Sequence, residues 1–223
     1  MGSVIGEILP LALGIAISPI PIMAAILMLL SPKAKATSLG FMLGWICGIV
    51  VALIVFVVLA SILPQSESDE PQPIAGGVKI LLGVLMIFLS LRQWRARPHD
   101  DVEPPMPTWM SAIDSMTAGK GFGLGFLLSA VNPKNLLMAA AAGVTIGSAP
   151  LSVSSALAVA IVFTVVAACS VTVPVVAYLV ASRAMAGPLE SLRGWLVHNN
   201  ATVMAVLLLV IGVSVIGKGI GNL

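Results

Sequence analysis

Charge is what this sequence most lacks. Asp, Glu, Lys and Arg together make up only 9% of its 223 residues, whereas 59% are hydrophobic. A soluble domain carries roughly 25% charged residues. The composition therefore excludes an ordinary soluble domain and predicts an integral membrane protein.

Cysteine and histidine are also scarce, with two of each. Cys47 and Cys169 lie in the apolar stretches ICGIV and AACSV, without an adjacent proline or charge. We interpret them as buried, inert thiols; the alternative, a thiol relay, needs a reactive pair that can meet. His99 and His198 fall in polar connections. We therefore expect no metal site, no cofactor, no catalytic residues and no enzyme activity.

The sequence contains no nucleotide-binding motif. Four alternating glycines, at positions 119, 121, 123 and 125, lie at the entry to the fourth apolar run, but no strand comes before them and the G-x-G-x-x-G spacing is missing. Transport by this chain would therefore draw on an ion gradient, a lipid gradient or a partner protein. We expect no nucleic-acid partner.

Six apolar runs are long enough to cross a bilayer as helices, which takes about 20 residues. Barrel strands are shorter and alternate in polarity, so the runs predict helices. The chain start lacks the basic flank and cleavage site of a signal peptide, so the first run is expected to remain a span. The expected fold is an all-α integral membrane protein with six transmembrane helices, at about 4–30, 38–62, 74–92, 120–147, 152–181 and 201–220.

Lysine and arginine placement predicts the orientation, because short cytoplasmic loops are enriched in both. Lys79 and Lys218 fall toward one side of a six-span arrangement, and Lys134 falls near its middle. We expect a multi-pass plasma-membrane protein with both termini extracytoplasmic. The eight basic residues on the predicted cytoplasmic side are Lys33, Lys35, Arg92, Arg95, Arg97, Lys120, Arg183 and Arg193.

Two similar proline motifs suggest an internal repeat. When Pro19 of ISPIPIMAAILML is aligned with Pro133 of VNPKNLLMAAAAG, Ser18 meets Asn132 and a run of small residues follows in both. Three spans per half predict a 3+3 inverted repeat, with sites near mid-membrane at interrupted helices. The halves would be 1–92 and 119–223, joined by a cytoplasmic loop at 93–118 with a possible interfacial helix. The alternative is that two prolines kink two helices independently.

The chemistry of these motifs predicts more than a kink. Ser18 and Asn132 each read as a helix N-cap followed by proline at the first helical position. Spans one and four would then each be two half-helices, whose second starts offer free N–H groups and a positive dipole end. Pro21 should extend the first break and leave Ile20 non-helical. The predicted anion-binding residues are Ser18, Pro19, Pro21, Asn132, Pro133, Lys134 and Asn135.

Lys134 is the central residue of this hypothesis. A lysine at mid-membrane costs about 2.5–3.5 kcal/mol on insertion scales. No acid lies in the predicted cores of these spans: Glu7 falls near the outer end of span one and Asp114 precedes span four. The functional interpretation is contact with a phosphate, sulfate or carboxylate. The alternatives are that Lys134 snorkels to the cytoplasmic interface or donates to carbonyls freed by a proline.

Three further features allow two interpretations each. Pro174 could provide a flexing point in span five or only a kink. A stripe of Gly40, Gly44 and Gly48 allows close helix approach, within the monomer or in a dimer. Two segments could be helices lying on the inner membrane surface or extended helix ends; their apolar faces are Trp109, Met110, Ile113 and Met116, and Leu189, Leu192, Trp195 and Leu196.

The SPIPI and NPKN motifs, within GSVIGEILPLALGIAISPIPIMAAILMLLSPKAKATSLGFMLGW and LLSAVNPKNLLMAAAAG, carry a family resemblance. The chain resembles the GAP family of actinobacterial membrane proteins, in the lysine-exporter (LysE) superfamily alongside the sulfolipid-addressing (Sap) proteins. The similarity covers essentially the whole chain. It implies export of cell-envelope glycolipids, peptidoglycolipids or related compounds, with Ser18, Pro19, Pro21, Asn132, Pro133 and Lys134 in the signature positions.

The sequence therefore leads to a plasma-membrane exporter or flippase that moves a polar-headed or anionic (glyco)lipid outward by alternating access. One alternative is an exporter of a small solute such as an amino acid. Another is a non-transporting accessory of a lipid-export complex. The partners considered are the lipid substrate, a second copy of the chain and a separate lipid-export protein.

Overall fold

A computed structural model describes residues 1–62, 73–97 and 116–222, and every regular element in those ranges is an α-helix. α7 contains one residue with non-helical geometry, Ala181, at φ −138° and ψ 55°. Its two segments, Val153–Ser182 and Gly187–Ile220, are each long and apolar enough to span a membrane. The helices are α1 (Gly2–Ala16), α2 (Pro19–Leu29), α3 (Ala34–Ser61), α4 (Pro73–Arg95), α5 (Ala118–Ala130), α6 (Pro133–Gly147) and α7 (Val153–Ile220).

The prediction of an all-helical, multi-pass membrane protein is confirmed. Among the described residues, α3, α4 and the two segments of α7 are each long and apolar enough to cross a bilayer, which makes four candidate spans. There are five if α1 and α2, bent by 52° at their junction, count as one span. The fourth expected span corresponds to α5 and α6, of 13 and 15 residues. Neither reaches the roughly 20 residues that a crossing takes, so the count of six stays a prediction.

α3 packs along both α5 and α6. A Cβ on Gly44 would clash with the backbone carbonyl of Phe122 in α5, and one on Gly143 of α6 would lie 2.5 Å from Cβ of Phe56. α3 therefore runs parallel to the α5–α6 pair. Of the two interpretations of the glycine stripe, close packing within the monomer is the one this contact shows.

α4 packs antiparallel to the second segment of α7. A Cβ on Gly83 would lie 2.7 Å from the carbonyl oxygen of Gly212. Nearer the other end of this contact, the Ser90 hydroxyl donates to the Ala205 carbonyl at 2.7 Å. α1 lies against both α6 and the second segment of α7, which places its carboxyl end inside the bundle.

Pro174 lies inside α7, and the residue of α7 with non-helical geometry, Ala181, comes seven positions later. One sequence interpretation needs correction. The two cysteines are half-buried rather than buried. In a bilayer protein, side chains on the outer face of the bundle meet lipid, so a position in an apolar run does not imply burial within the protein.

The predicted interfacial segments fare differently. The second continues into α7 without a break, so the extended-helix interpretation describes it. Its apolar residues differ in exposure: Leu189 and Leu196 are buried, whereas Leu192 and Trp195 are exposed. In the first segment, Trp109, Met110 and Ile113 lie outside the described residues, as do His99 and Asp114.

Candidate functional site where two helix breaks meet

The first break is made by the residues SPIP. Pro19 and Pro21 occupy the first and third positions of α2, where a missing N–H leaves no helical hydrogen bond unmade. Ile20 is helical, so the expectation that Pro21 leaves it outside the helix is wrong. The two prolines also leave Ile20 as the sole N–H donor among the first three residues of α2, which makes that helix start a poor anion site.

The second break is capped as the sequence predicts. Asn132 has extended geometry, and its Oδ1 accepts from the Lys134 backbone N–H at 3.0 Å. Pro133 supplies no donor, so the first turn of α6 also offers few free N–H groups. The charged side chain of Lys134, rather than the helix starts, is therefore the main donor at this site.

Ser18 stands at the N-cap position of α2 but does not cap it. Its side chain makes no hydrogen bond to the N–H groups of the first turn. Instead its Oγ accepts from Nζ of Lys134 at 2.5 Å and lies 3.4 Å from Oδ1 of Asn135, to which it donates. The expected Ser18 cap is thus replaced by a link between the two breaks.

The Lys134 ammonium has all three of its donors matched by protein oxygens. Nζ donates to the carbonyls of Gly14 at 2.6 Å and Ile17 at 3.3 Å, and to Ser18 Oγ. Its side chain is buried, with 2% of the residue exposed. Of the interpretations considered for Lys134, donation to carbonyls freed at a proline break is the one this geometry shows.

Asn135 completes the link. While its Oδ1 faces Ser18, its Nδ2 donates to the Leu128 carbonyl near the end of α5 at 3.1 Å. The network thus runs from the end of α1 through the starts of α2 and α6 to the end of α5. Four helix ends meet at one buried polar centre.

The predicted site residues are not all gathered there. Ser18, Pro19, Pro21, Lys134 and Asn135 are buried. Asn132 is half-buried and Pro133 is exposed, so these two shape the break rather than line its interior.

The electrostatics of the centre differ from the expectation of purely positive potential. The carboxyl end of α1 brings a partial negative charge to the same point. Sequence reasoning considered donation from Lys134 to carbonyls freed by a proline, but it did not assign those carbonyls to residues. A break also frees the carbonyls of the preceding helix, so the Gly14 and Ile17 carbonyls could have been found from Pro19 and Pro21 alone.

No carboxylate pairs with Lys134 in the part of the chain that the structure describes. Ion pairs join Lys79 with Glu7 and Arg193 with Glu190. The positive charge is therefore held by neutral dipoles. Such a charge keeps its capacity to pair with an anion, because dipoles leave its net charge uncompensated.

Fold and site together define a multi-pass helical membrane protein in which ends of α1, α2, α5 and α6 meet around a buried lysine. The chain belongs to the family of Sap, sulfolipid-1-addressing protein, whose model matches residues 8–221. This confirms the resemblance to the Sap proteins drawn from the SPIPI and NPKN motifs. No curated protein and no solved structure matches the chain.

Proposed function

We propose that the protein moves a polar-headed or anionic (glyco)lipid across the plasma membrane toward the cell surface, by alternating access around the Lys134 centre. The family, a sulfolipid-1-addressing group, supports a sulfated or similarly charged lipid as cargo. The proposal includes a LysE-type 3+3 inverted repeat with six crossings, in which α1–α2 and α5–α6 are each one interrupted span. Both termini would face outward.

The observation that carries the proposal is the buried, carboxylate-free ammonium of Lys134. A charge at this depth is costly and marks a functional site by default. Its present partners are neutral oxygens, and a charged acceptor makes a hydrogen bond roughly twice as strong. An anionic headgroup would therefore outcompete the Gly14 and Ile17 carbonyls for the ammonium.

That exchange suggests a mechanism. In the empty protein, Lys134 ties the end of α1 to the start of α6. Transfer of the ammonium to a headgroup would release this tie and let the 52° bend between α1 and α2 change. Ligand binding would then favour a second conformation, because the two states differ in the partners of one charge.

The test is lipid exchange in liposomes that contain the purified protein. Tail-labelled phosphatidylglycerol and phosphatidylcholine report movement between leaflets by their accessibility to dithionite, with and without an imposed pH gradient. We expect the wild type to exchange the anionic lipid faster. In Lys134→Met, that advantage should fall by about tenfold or more, in keeping with loss of a charge-assisted contact.

Lys35→Met is the matched control, because it removes the same charge from an exposed position in α3. It should exchange both lipids as the wild type does. If folded wild-type protein moves neither lipid under either condition, intrinsic lipid transport is wrong. Uptake of labelled amino acids by the same liposomes would then support the solute exporter, and its absence would support the accessory role.

A further inference from the structure

A small cleft outside the Lys134 centre is lined by charged and apolar residues. It is walled by α1, α4, α6 and the second segment of α7. Its charged residues are Glu7, Lys79 and Lys218, all of which the charge pattern places at the extracytoplasmic end. Neither the family description nor the proposed function assigns a role to them.

Two lysines and one carboxylate lie in this cleft. Lys79 is buried, with 5% of the residue exposed, and its Nζ lies 3.7 Å from Oε2 of Glu7. That separation is longer than a charge-assisted hydrogen bond, which is about 2.7–2.9 Å. Lys218 donates at 3.1 Å to the backbone carbonyl of Glu7, not to its carboxylate. The cleft therefore carries one positive charge in excess.

The apolar part of the cleft lies on the side of the Lys134 centre. Leu11 of α1, Ala141 of α6 and Ile211 of α7 line it. One turn beyond Leu11 lies Gly14, whose carbonyl accepts from Lys134. A Cβ on Gly14 would lie 2.6 Å from Sδ of Met138 and would also clash with Ile211, so these two side chains close the space between cleft and centre.

The geometry points to a second binding site, in which Lys79 and Lys218 hold a singly charged oxyanion such as a phosphodiester or a sulfate ester at the extracytoplasmic end. Binding moves the Lys218 ammonium from the Glu7 carbonyl to the anion, while Glu7 competes for Lys79. The site deepens the proposed function, since it would receive the headgroup after Lys134 releases it. Its occupation does not require that the protein transports anything.

The experiment measures equilibrium binding to the purified full chain in a neutral detergent. The probes are dihexanoyl phosphatidylglycerol, dihexanoyl phosphatidylcholine and inorganic sulfate, and the readout is the rise in unfolding temperature with probe concentration. We expect dihexanoyl phosphatidylglycerol to bind the wild type, with a Kd raised about tenfold or more in Lys218→Met and in Lys79→Met. Glu7→Gln should lower the Kd severalfold, because it removes the competing carboxylate.

Two variants separate this site from its alternatives. In the Lys134→Met background, where the centre of the proposed function is removed, Lys218→Met should still raise the Kd about tenfold or more, so the two proposals can fail independently. Lys120→Met, at an exposed position in α5, controls for loss of charge alone. Lys218 is half-buried, so its variant tests the site even if Lys79→Met does not fold.

Several results would overturn the inference: a Kd that is the same in Lys218→Met, equal binding of the zwitterionic lipid, or weaker binding in Glu7→Gln. Sulfate binding with the same variant pattern would support an anion site that needs no acyl chains. Binding of phosphatidylglycerol alone, with that pattern, would support a site that also holds the lipid tails.

Discussion

Lys134 and Ser18 lie at two chain breaks more than a hundred residues apart, yet they are joined by a hydrogen bond of 2.5 Å. Each side chain bonds to a different partner from the one its local sequence suggests. Ser18 occupies the N-cap position of α2 but accepts a hydrogen bond from Lys134. Lys134 lies in the first turn of α6 but donates to a carbonyl near the end of α1. Their roles are set by the meeting of the breaks rather than by either break alone.

The link makes Ser18→Ala a measurable change. The substitution removes one acceptor from Lys134 and the donor that faces Asn135 Oδ1. Interhelical hydrogen bonds in membrane proteins average about 0.6 kcal/mol, and buried groups left unpaired cost about 1–3 kcal/mol. We expect a loss of about 1 kcal/mol in unfolding free energy, measured by denaturant titration of the purified protein.

Ser61→Ala is the matched control for that measurement. Its hydroxyl is exposed and bonds only to the Val58 carbonyl of its own helix. The unfolding free energy should be unchanged within error. An equally small effect of Ser18→Ala would mean that the link between the breaks contributes no stability.

Among single residues, local rules predicted the Asn132 cap. They failed at Ile20, which is helical, and at Ser18, whose side chain does not cap α2. Ser18 bonds instead to Lys134 and Asn135, and Asn135 also donates to the Leu128 carbonyl. Such partners come from distant helices, and a cap rule considers only the following turn.

At the scale of elements, the contact of α3 with α5 depends on glycine from both helices. A Cβ on Gly44 would overlap the Phe122 carbonyl, and one on Gly121 would lie 2.6 Å from the Thr37 carbonyl. Close approach of this kind is how membrane helices gain packing energy without a hydrophobic drive between them.

Gly44→Ala therefore should push α3 and α5 apart. Overpacking of a tight contact costs typically about 1–3 kcal/mol, so we expect a lower unfolding temperature in detergent. Gly123→Ala in α5 is the control, because a Cβ there meets no atom within 4 Å. If both variants unfold at the same temperature as the wild type, the helices are not held at this distance in solution.

Helix breaks were easier to predict than helix contacts. Proline with a preceding Ser or Asn marks a break locally, so both breaks were found at the correct residues. The glycine stripe of α3 indicated close contact but could not identify α5 as the partner. The α4–α7 contact at Gly83 and Gly212 was not predicted, since isolated glycines in apolar runs carry no sequence signal of pairing.

At the scale of the whole molecule, orientation depends on the side of the membrane reached by each connection. Cysteines can be placed in a background of Cys47→Ser and Cys169→Ser and labelled in intact cells with an impermeant maleimide. We expect labelling at Ser3→Cys and Ser152→Cys, and none at Lys33→Cys or Arg95→Cys. All four positions are exposed.

A permeant maleimide, or lysis before labelling, should label all four positions. Labelling of Ser3→Cys and Lys33→Cys from the same side would make the α1–α2 pair a re-entrant loop instead of a broken span. Labelling of Arg95→Cys and Ser152→Cys from the same side would remove the crossing assigned to α5 and α6. Either result would reject the 3+3 arrangement.

The Lys134 ammonium, held deep in the bundle by neutral oxygens, has an electrical consequence. One elementary charge that crosses the full membrane potential changes energy by about 2.3 kcal/mol per 100 mV. An empty protein that shifts Lys134 between its two faces would move net charge, whereas one loaded with a monovalent anion would move almost none. A negative cell interior would thus resist outward displacement of the empty centre and leave the loaded centre free to move.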